Sequence, residues 1–211
     1  MRTIVLSAIL FSLAFLSCNI CTKKVFCPDF HDETLESWFP LANRKVFTFK
    51  TSNNDIKTFT FDTVMTSQPY TADQTRGSGC FADQKAISKE TDAQGKPALS
   101  ITLQMENPFY ENGIEKRVLV QLLGLNFTGT NMVMSEGFRQ VINESHGGYG
   151  MLKSIPAIQL GGKTFYNVQS IYFDTISNLP KAPVYKVYIA NNHGIIAYET
   201  YRPVMLWVRE Q

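Results

Sequence analysis

Leu99, Ile101, Leu103 and Met105 alternate with Ser100, Thr102 and Gln104. A period of two sends one set to each face of an extended strand, and a helix of period 3.6 cannot keep the sets apart. The same rhythm recurs along most of the chain. Residues 46–50 and 56–65 are strand-like runs around Ser52-Asn53-Asn54-Asp55, a hairpin signal; Phe59 and Phe61 share one face, and Thr58, Thr60 and Asp62 the other. Residues 118–123 and 131–135 continue the pattern. Residues 156–160 and 163–176 flank Gly161-Gly162 as a hairpin with a two-residue turn. Residues 183–190 and 195–201 flank Asn191-Asn192-His193-Gly194 as a second. A last strand over 204–209 has Leu206 and Val208 on one face and Met205 and Trp207 on the other. The helical signal is confined to 32–39. There Asp32 or Thr34 caps a turn or two, Leu35, Trp38 and Phe39 form the buried side, and Pro40 ends it. Residues 66–78 read as a long loop, and Gly147-Gly148-Tyr149-Gly150 as a flexible one. The expected fold is mainly β: a single antiparallel domain over 31–211, arranged as a sandwich, a barrel or a curved open sheet, with a short helix near 32–39.

The amino terminus has a different character. Arg2 supplies a positive start and residues 4–16 an apolar run broken by Ser7 and Ser12; Ser17 and Cys18 follow. A run this short falls below the roughly 20 residues of a permanent membrane helix and has the length and flanks of an export signal. The reading adopted is a lipoprotein signal peptide over 1–17, with Cys18 as the lipid-attachment residue for acyl chains such as palmitate. Ser17 suits a lipoprotein signal peptidase, while Phe15 stands where leucine is usual. Two alternatives remain: ordinary secretion with cleavage after Ala14, and a helix retained in core or membrane. Residues 18–30 read as a tether.

Arg2 is the one charged residue in 1–17, so the net charge of +2 falls to +1 without that segment. A balance this close to neutral offers no electrostatic reason to expect nucleic acid as a partner. The cysteines are Cys18, Cys21, Cys27 and Cys80. With Cys18 lipidated, three are left. The preferred disulfide is Cys27–Cys80, joining the end of the tether to the turn-like Gly77-Ser78-Gly79; Cys21–Cys27 and a fully reduced set stay open, because spacing does not determine connectivity. Cys18-x-x-Cys21 has metal-ligand spacing but lacks a second pair, so no metal site is expected.

Trp38-Phe39-Pro40 followed by Val46-Phe47-Thr48-Phe49 resembles the opening of small uncharacterised envelope lipoproteins of Bacteroidetes-type bacteria. The run from Gly162 through Lys163, Phe165 and Asn167 to Val168 is similar to one of their strands. Val187-Tyr188-Ile189-Ala190, Gly194-Ile195-Ile196-Ala197-Tyr198-Glu199 and Trp207 resemble their closing pattern. The resemblance covers the two ends and leaves 66–150 outside. It implies an envelope address and a β fold without implying an activity. It also makes Asp62-Thr63-Val64 and Asp174-Thr175-Ile176 similar to an O-glycosylation site of exported proteins in those bacteria, with Thr63 and Thr175 as acceptors; ordinary strand threonines are the plain alternative. No acidic export signal follows Cys18. This favours an outer-membrane, lipid-anchored protein facing the periplasm, with the cell surface as the alternative.

Catalytic residues are harder to find. His31 lies among Asp29, Asp32 and Glu33 and reads as solvated, and His193 reads as a turn residue. His146, after Ser145 and before Gly147-Gly148, has the form of an oxyanion loop but no nucleophile elbow accompanies it. The carboxylate pairs Asp32-Glu33 and Glu111 with Glu115 are expected at the surface. There is no phosphate-cradling loop, dinucleotide fingerprint or calcium loop, so no cofactor is expected. The expected role is non-enzymatic, a membrane-anchored binding or structural module whose partner is a glycan, a lipid or a protein. The alternatives are a carrier that holds an apolar ligand in a curved sheet and, less in keeping with the residues, a hydrolase using His146.

Overall fold

The computed structural model describes residues 27, 29–41, 46–71, 80–107, 115–144, 147–173 and 184–210. Its elements are α1 (Glu33–Trp38), β1 (Val46–Lys50), β2 (Ile56–Thr66), β3 (Tyr70–Thr71), β4 (Cys80–Ser88), β5 (Leu99–Asn107), β6 (Glu115–Leu122), β7 (Leu125–Thr130), β8 (Gln140–Asn143), β9 (Met151–Leu160), β10 (Lys163–Tyr172), β11 (Val184–Ala190), β12 (Gly194–Tyr201) and β13 (Val204–Glu210). The strands form one antiparallel sheet in the order β8-β7-β6-β5-β4-β2-β1-β13-β12-β11-β10-β9, with β3 beside β4. Almost every neighbour in space is a neighbour in sequence. The exceptions are β2 against β4, with the two-residue β3 between them in sequence, and β1 against β13, which brings the two ends of the body together.

The sheet curls into a nearly closed barrel. At one end of the gap the chain turns back on itself: Gly150 N–H donates to the Val141 carbonyl of β8 at 2.9 Å, and β9 starts one residue later. The segment 147–150 is therefore paired rather than flexible as expected. Gly150 is required by packing, since a Cβ there would stand 2.9 Å from Ile171 Cγ2. At the other end Gln169 of β10 replaces a strand partner. Its Oε1 accepts from Phe138 N–H at 2.8 Å and its Nε2 donates to the Phe138 carbonyl at 2.7 Å. Gln169 is buried, so these two bonds satisfy backbone groups that water does not reach.

The period-two faces fill the interior. Leu99, Ile101, Leu103 and Met105 are all buried, as the alternation predicts, together with Val118, Val120, Phe127, Ile171 and Phe173. Aromatic rings meet edge to face, Phe47 with Phe61 at 5.3 Å and Phe49 with Tyr198 at 5.0 Å, the geometry the ring quadrupole prefers. Tyr198 stacks on Trp207 with centroids 5.9 Å apart.

Helix α1 plugs one mouth. Asp32 is its cap, accepting from Leu35 N–H at 2.9 Å. Its six residues are too few to persist alone, so packing holds it. Leu35, Trp38 and Phe39 are buried as predicted, each worth about 2–3 kcal/mol on transfer from water. Trp38 Nε1 donates to the Met134 carbonyl at 3.1 Å, and Asn192 N–H to the Ser37 carbonyl at 2.5 Å. Lys116 of β6 reaches Asp32 Oδ2 at 2.8 Å and Thr34 Oγ1 at 3.0 Å. Phe30 is buried in the same core and Cys27 is bonded to Cys80, their Cα atoms 5.2 Å apart. The preferred cysteine pairing is thus observed, and the body reaches back into the segment read as tether.

The hairpin of β9 and β10 turns at Gly161-Gly162, both at positive φ as the two-residue turn requires. Midway along β10, Asn167 sits at φ 50 opposite Pro156, and this residue resets the alternation. Beyond it the distal half folds over the outer face. Phe165, Val168 and Leu160 cover Tyr188, Ile196 and Ala197 as a second apolar cluster, with Val208 packed against it.

Two further expectations fail for local reasons. Residues 131–135 form a turn, with Asn131 at φ 53, and the strand lies earlier at β7. Strand β4 lies beyond the expected loop in a stretch that carries no strand signal, and within that loop Tyr70–Thr71 forms a short strand that pairs with it. Residues 174–176, read as the end of a strand, lie outside the described residues.

Two stability outcomes follow from the closures. Gln169→Leu strands the Phe138 N–H and carbonyl and should cost about 2–4 kcal/mol in urea unfolding. Reducing the disulfide, which spans 53 residues, should lower the Tm by roughly 5–15 °C, as loss of about 4 kcal/mol of chain-entropy restraint implies.

Candidate binding surfaces

Cys18, Cys21, Glu111, Ser145, His146 and Thr175 lie outside the described residues. Thr63 is exposed in β2, within the register shift between Phe61 and Val64, so its hydroxyl is accessible. The flanking Asp62 pairs with Lys89 at 2.5 Å. His31 is largely solvated, 3.6 Å from Glu36. His193 serves its turn, its Nδ1 2.8 Å from the Asn191 carbonyl and its ring edge-on to Phe165. Asp32 corrects the expectation that the carboxylate pairs sit at the surface. It is buried with both oxygens engaged, while Glu33 beside it is exposed. The two do not converge on a common point.

The outer face of β11 and β12 carries a carboxylate ringed by donors. Glu199 accepts from Tyr185 Oη and, at 2.6 Å, from Tyr188 Oη, and Lys186 Nζ stands 3.1 Å away. A register shift between Val184 and Lys186 makes Tyr185 an extra residue, which lets it and Tyr188 share one acceptor. That bulge breaks the period of two, so the cluster is invisible to alternation alone. Burial alone would raise the Glu199 pKa, but the bonds from Tyr185, Tyr188 and Lys186 outweigh it and hold the group below its ordinary 4.5. Burial and the bond to Glu199 push the Tyr185 hydroxyl up to about 12. A carboxylate so fully engaged is poorly placed to shuttle protons; it fixes ring orientation. Tyr185 meets Tyr172 and Tyr201 edge to face at 6.0 and 6.3 Å, which makes an ordered aromatic surface.

A groove of about 570 Å³ crosses the outer face of β5 to β8. Strand register explains its lining. Gln104 pairs with Arg117, Arg117 with Thr130, and Thr130 with Gln140, so one transverse row is polar across four strands. In the next row Leu119 faces Thr128, and Thr128 faces Ile142. Arg117 Nη2 is held by Glu115 at 2.8 Å and Glu106 at 3.1 Å. Its Nε and the Thr130 hydroxyl are buried without a hydrogen-bond partner. A second groove, about 740 Å³, lies between the tip of the β9–β10 hairpin and the β1 and β13 strands. Its charges are largely committed: Lys50 stands 3.9 Å from Glu210, and Arg209 donates to the His193 and Ile195 carbonyls at 2.5 and 3.0 Å.

Among the described residues no group of three or more His, Cys, Asp or Glu is placed to hold a metal, and no helix is long and apolar enough to cross a membrane. No family model, no curated protein and no solved structure matches the chain.

The Glu199 cluster predicts a specific pH profile. A carboxylate with a lowered folded value stabilises fully above the unfolded value and loses that contribution as pH falls through the folded one. Glu199→Gln should therefore cost about 2 kcal/mol at pH 7, and its gap from the native chain should close as pH drops below 4.5. For Tyr185 the sign reverses: its contribution is complete below the ordinary 10.0 and drains as pH rises through about 12. Urea midpoints across pH read both limbs.

Proposed function

We propose that this chain is a lipid-anchored envelope protein whose β body has a non-enzymatic binding or structural role. The observation that carries the reading is the Cys27–Cys80 disulfide. Such bonds persist in oxidising compartments and are rare in the cytosol, so the cross-link agrees with the export signal read over 1–17. Cys18 precedes Cys27 by nine residues. A chain of that length reaches at most about 30 Å, so acyl chains on Cys18 keep the body close to the bilayer. The anchor is durable with two or three chains, at about 0.8 kcal/mol for each buried methylene.

The character of the body supports a surface role. Its interior is filled by aromatic and aliphatic side chains, among them Phe49, Phe59, Phe127, Phe173 and Tyr198. The grooves lie on the outer face, and most of the residues that line them are of polar type. Thr63, exposed at a bulge, is available as a glycosylation acceptor on the same exported body.

Mass spectrometry of the mature amino terminus tests the address. The expected product starts at Cys18, carries fatty acid and partitions into detergent, whereas Cys18→Ala stays in the aqueous phase. A native chain that retains residues 1–17, or lacks acyl mass, overturns the reading.

A further inference from the structure

We propose that the groove across β5 to β8 binds a neutral oligosaccharide through its transverse polar row. The inference rests on the reading of the body as a binding module and names the ligand class.

The row presents four different polar side chains at strand spacing: the Gln104 and Gln140 amides, the Arg117 guanidinium and the Thr130 hydroxyl. Strands lie roughly 4.8 Å apart, so the row is about 14 Å long, enough for a chain of sugars rather than one ring. Planar amides and guanidinium groups match vicinal hydroxyls, because each side chain offers donors or acceptors at fixed angles. Leu119 and Ile142 form an apolar step alongside, suited to the C–H face of a sugar.

The unsatisfied atoms point the same way. Thr130, only 7% exposed, lines the groove, and its hydroxyl lies buried beneath the groove surface with no partner. The buried Nε of Arg117 is also unpartnered. A buried polar group left unpaired carries a desolvation cost, and a ligand hydroxyl at the groove floor removes it. Arg117 itself is fixed in place by Glu106 and Glu115.

Charge and topology exclude competing ligands. Glu115 and Glu144 line the groove against one guanidinium, so an anion gains nothing there. The groove crosses the face of the sheet, and the free edge of β8 is already engaged at Val141 and Asn143 by Gly150 and Gly148, so an extended peptide finds little ladder to join. Two apolar side chains are too few for a lipid tail. With no aromatic ring in the lining, single-site affinity is weak, and anchoring many copies on one surface compensates by avidity.

The test is titration of the full-length chain with maltohexaose, cellohexaose, xylohexaose and chitohexaose, followed by variants. At least one of these binds, Thr130→Ser keeps the affinity, and Thr130→Val and Gln140→Leu each weaken it about tenfold. Thr130→Val also holds or raises the Tm, because it removes an unpaired buried hydroxyl; a purely structural threonine would lower it. Lys163→Ala, on the distant hairpin, leaves binding unchanged. Binding of none of the four sugars, or equal affinity in Thr130→Val and Gln140→Leu, overturns the proposal. The outcome is separable from the anchoring reading. An unlipidated native chain that binds sugar sinks the anchor alone, and a lipidated chain that binds none sinks the groove alone.

Discussion

The barrel depends on one side-chain amide standing in for a strand. Between the terminal strands β8 and β9 the sheet has a gap, and a gap exposes backbone donors and acceptors at two edges. Gln169 spans it by exchanging two hydrogen bonds with Phe138, as a paired strand residue would. Its surroundings are shaped to admit it. A Cβ on Gly137 would stand 2.7 Å from Gln169 Oε1, and one on Gly129 would stand 2.3 Å from the Phe138 ring. Two glycines thus allow the Phe138 segment to approach closely enough for the amide to reach. Without the bridge, the Phe127–Phe173 ring contact at 5.3 Å would have to hold this end of the gap, far from the backbone bonds between Val141 and Gly150 at the other. Dispersion between rings has no register, whereas two directed hydrogen bonds do.

The helix complements that closure at one mouth of the barrel. A barrel interior packed with rings leaves its ends open to water, and Trp38, Phe39 and Leu35 cover one of them. The helix is too short to exist for its own sake, so its cap, the Lys116 ion pair and the bonds to Met134 and Asn192 position a hydrophobic plug. Because the Asp32–Lys116 pair is largely withdrawn from water, the cost of desolvating the charges offsets their attraction, and its work is placement more than stability. The disulfide then ties the segment before the plug to the start of β4.

Legibility in the sequence followed the strength of local physics. The helix, its cap and its buried face were readable, because Asp32, the i, i+3 spacing of Leu35 and Trp38, and Pro40 agree. The hairpins at Gly161-Gly162 and at 191–194 were readable for the same reason. Strand β4 was not: Cys80-Phe81-Ala82-Asp83-Gln84-Lys85-Ala86 is poor in β-branched residues, and its state is set by pairing with β2 and β5 on either side. The turn before β7 uses Leu123-Gly124, with Leu123 at φ 49, and a leucine in that conformation carries no turn signal. This misplaced a strand by several residues and put the expected strand on a turn.

The candidate sites were less legible still, because both arise from relations between strands. The polar groove exists because registers align Gln104, Arg117, Thr130 and Gln140, which are far apart in sequence and ordinary one by one. The Glu199 cluster depends on a bulge that a strict period of two misreads. The contrast between the two is informative. Around Glu199 every donor has an acceptor and the cluster closes on itself, which is what a structural device does. At Thr130 a buried hydroxyl is left unmatched in a protein that otherwise satisfies its interior backbone with a purpose-shaped glutamine bridge. Gln121 Nε2 and Tyr198 Oη are also left unmatched in the sheet, but only Thr130 and Arg117 of these residues line a groove, where a ligand completes the bonding.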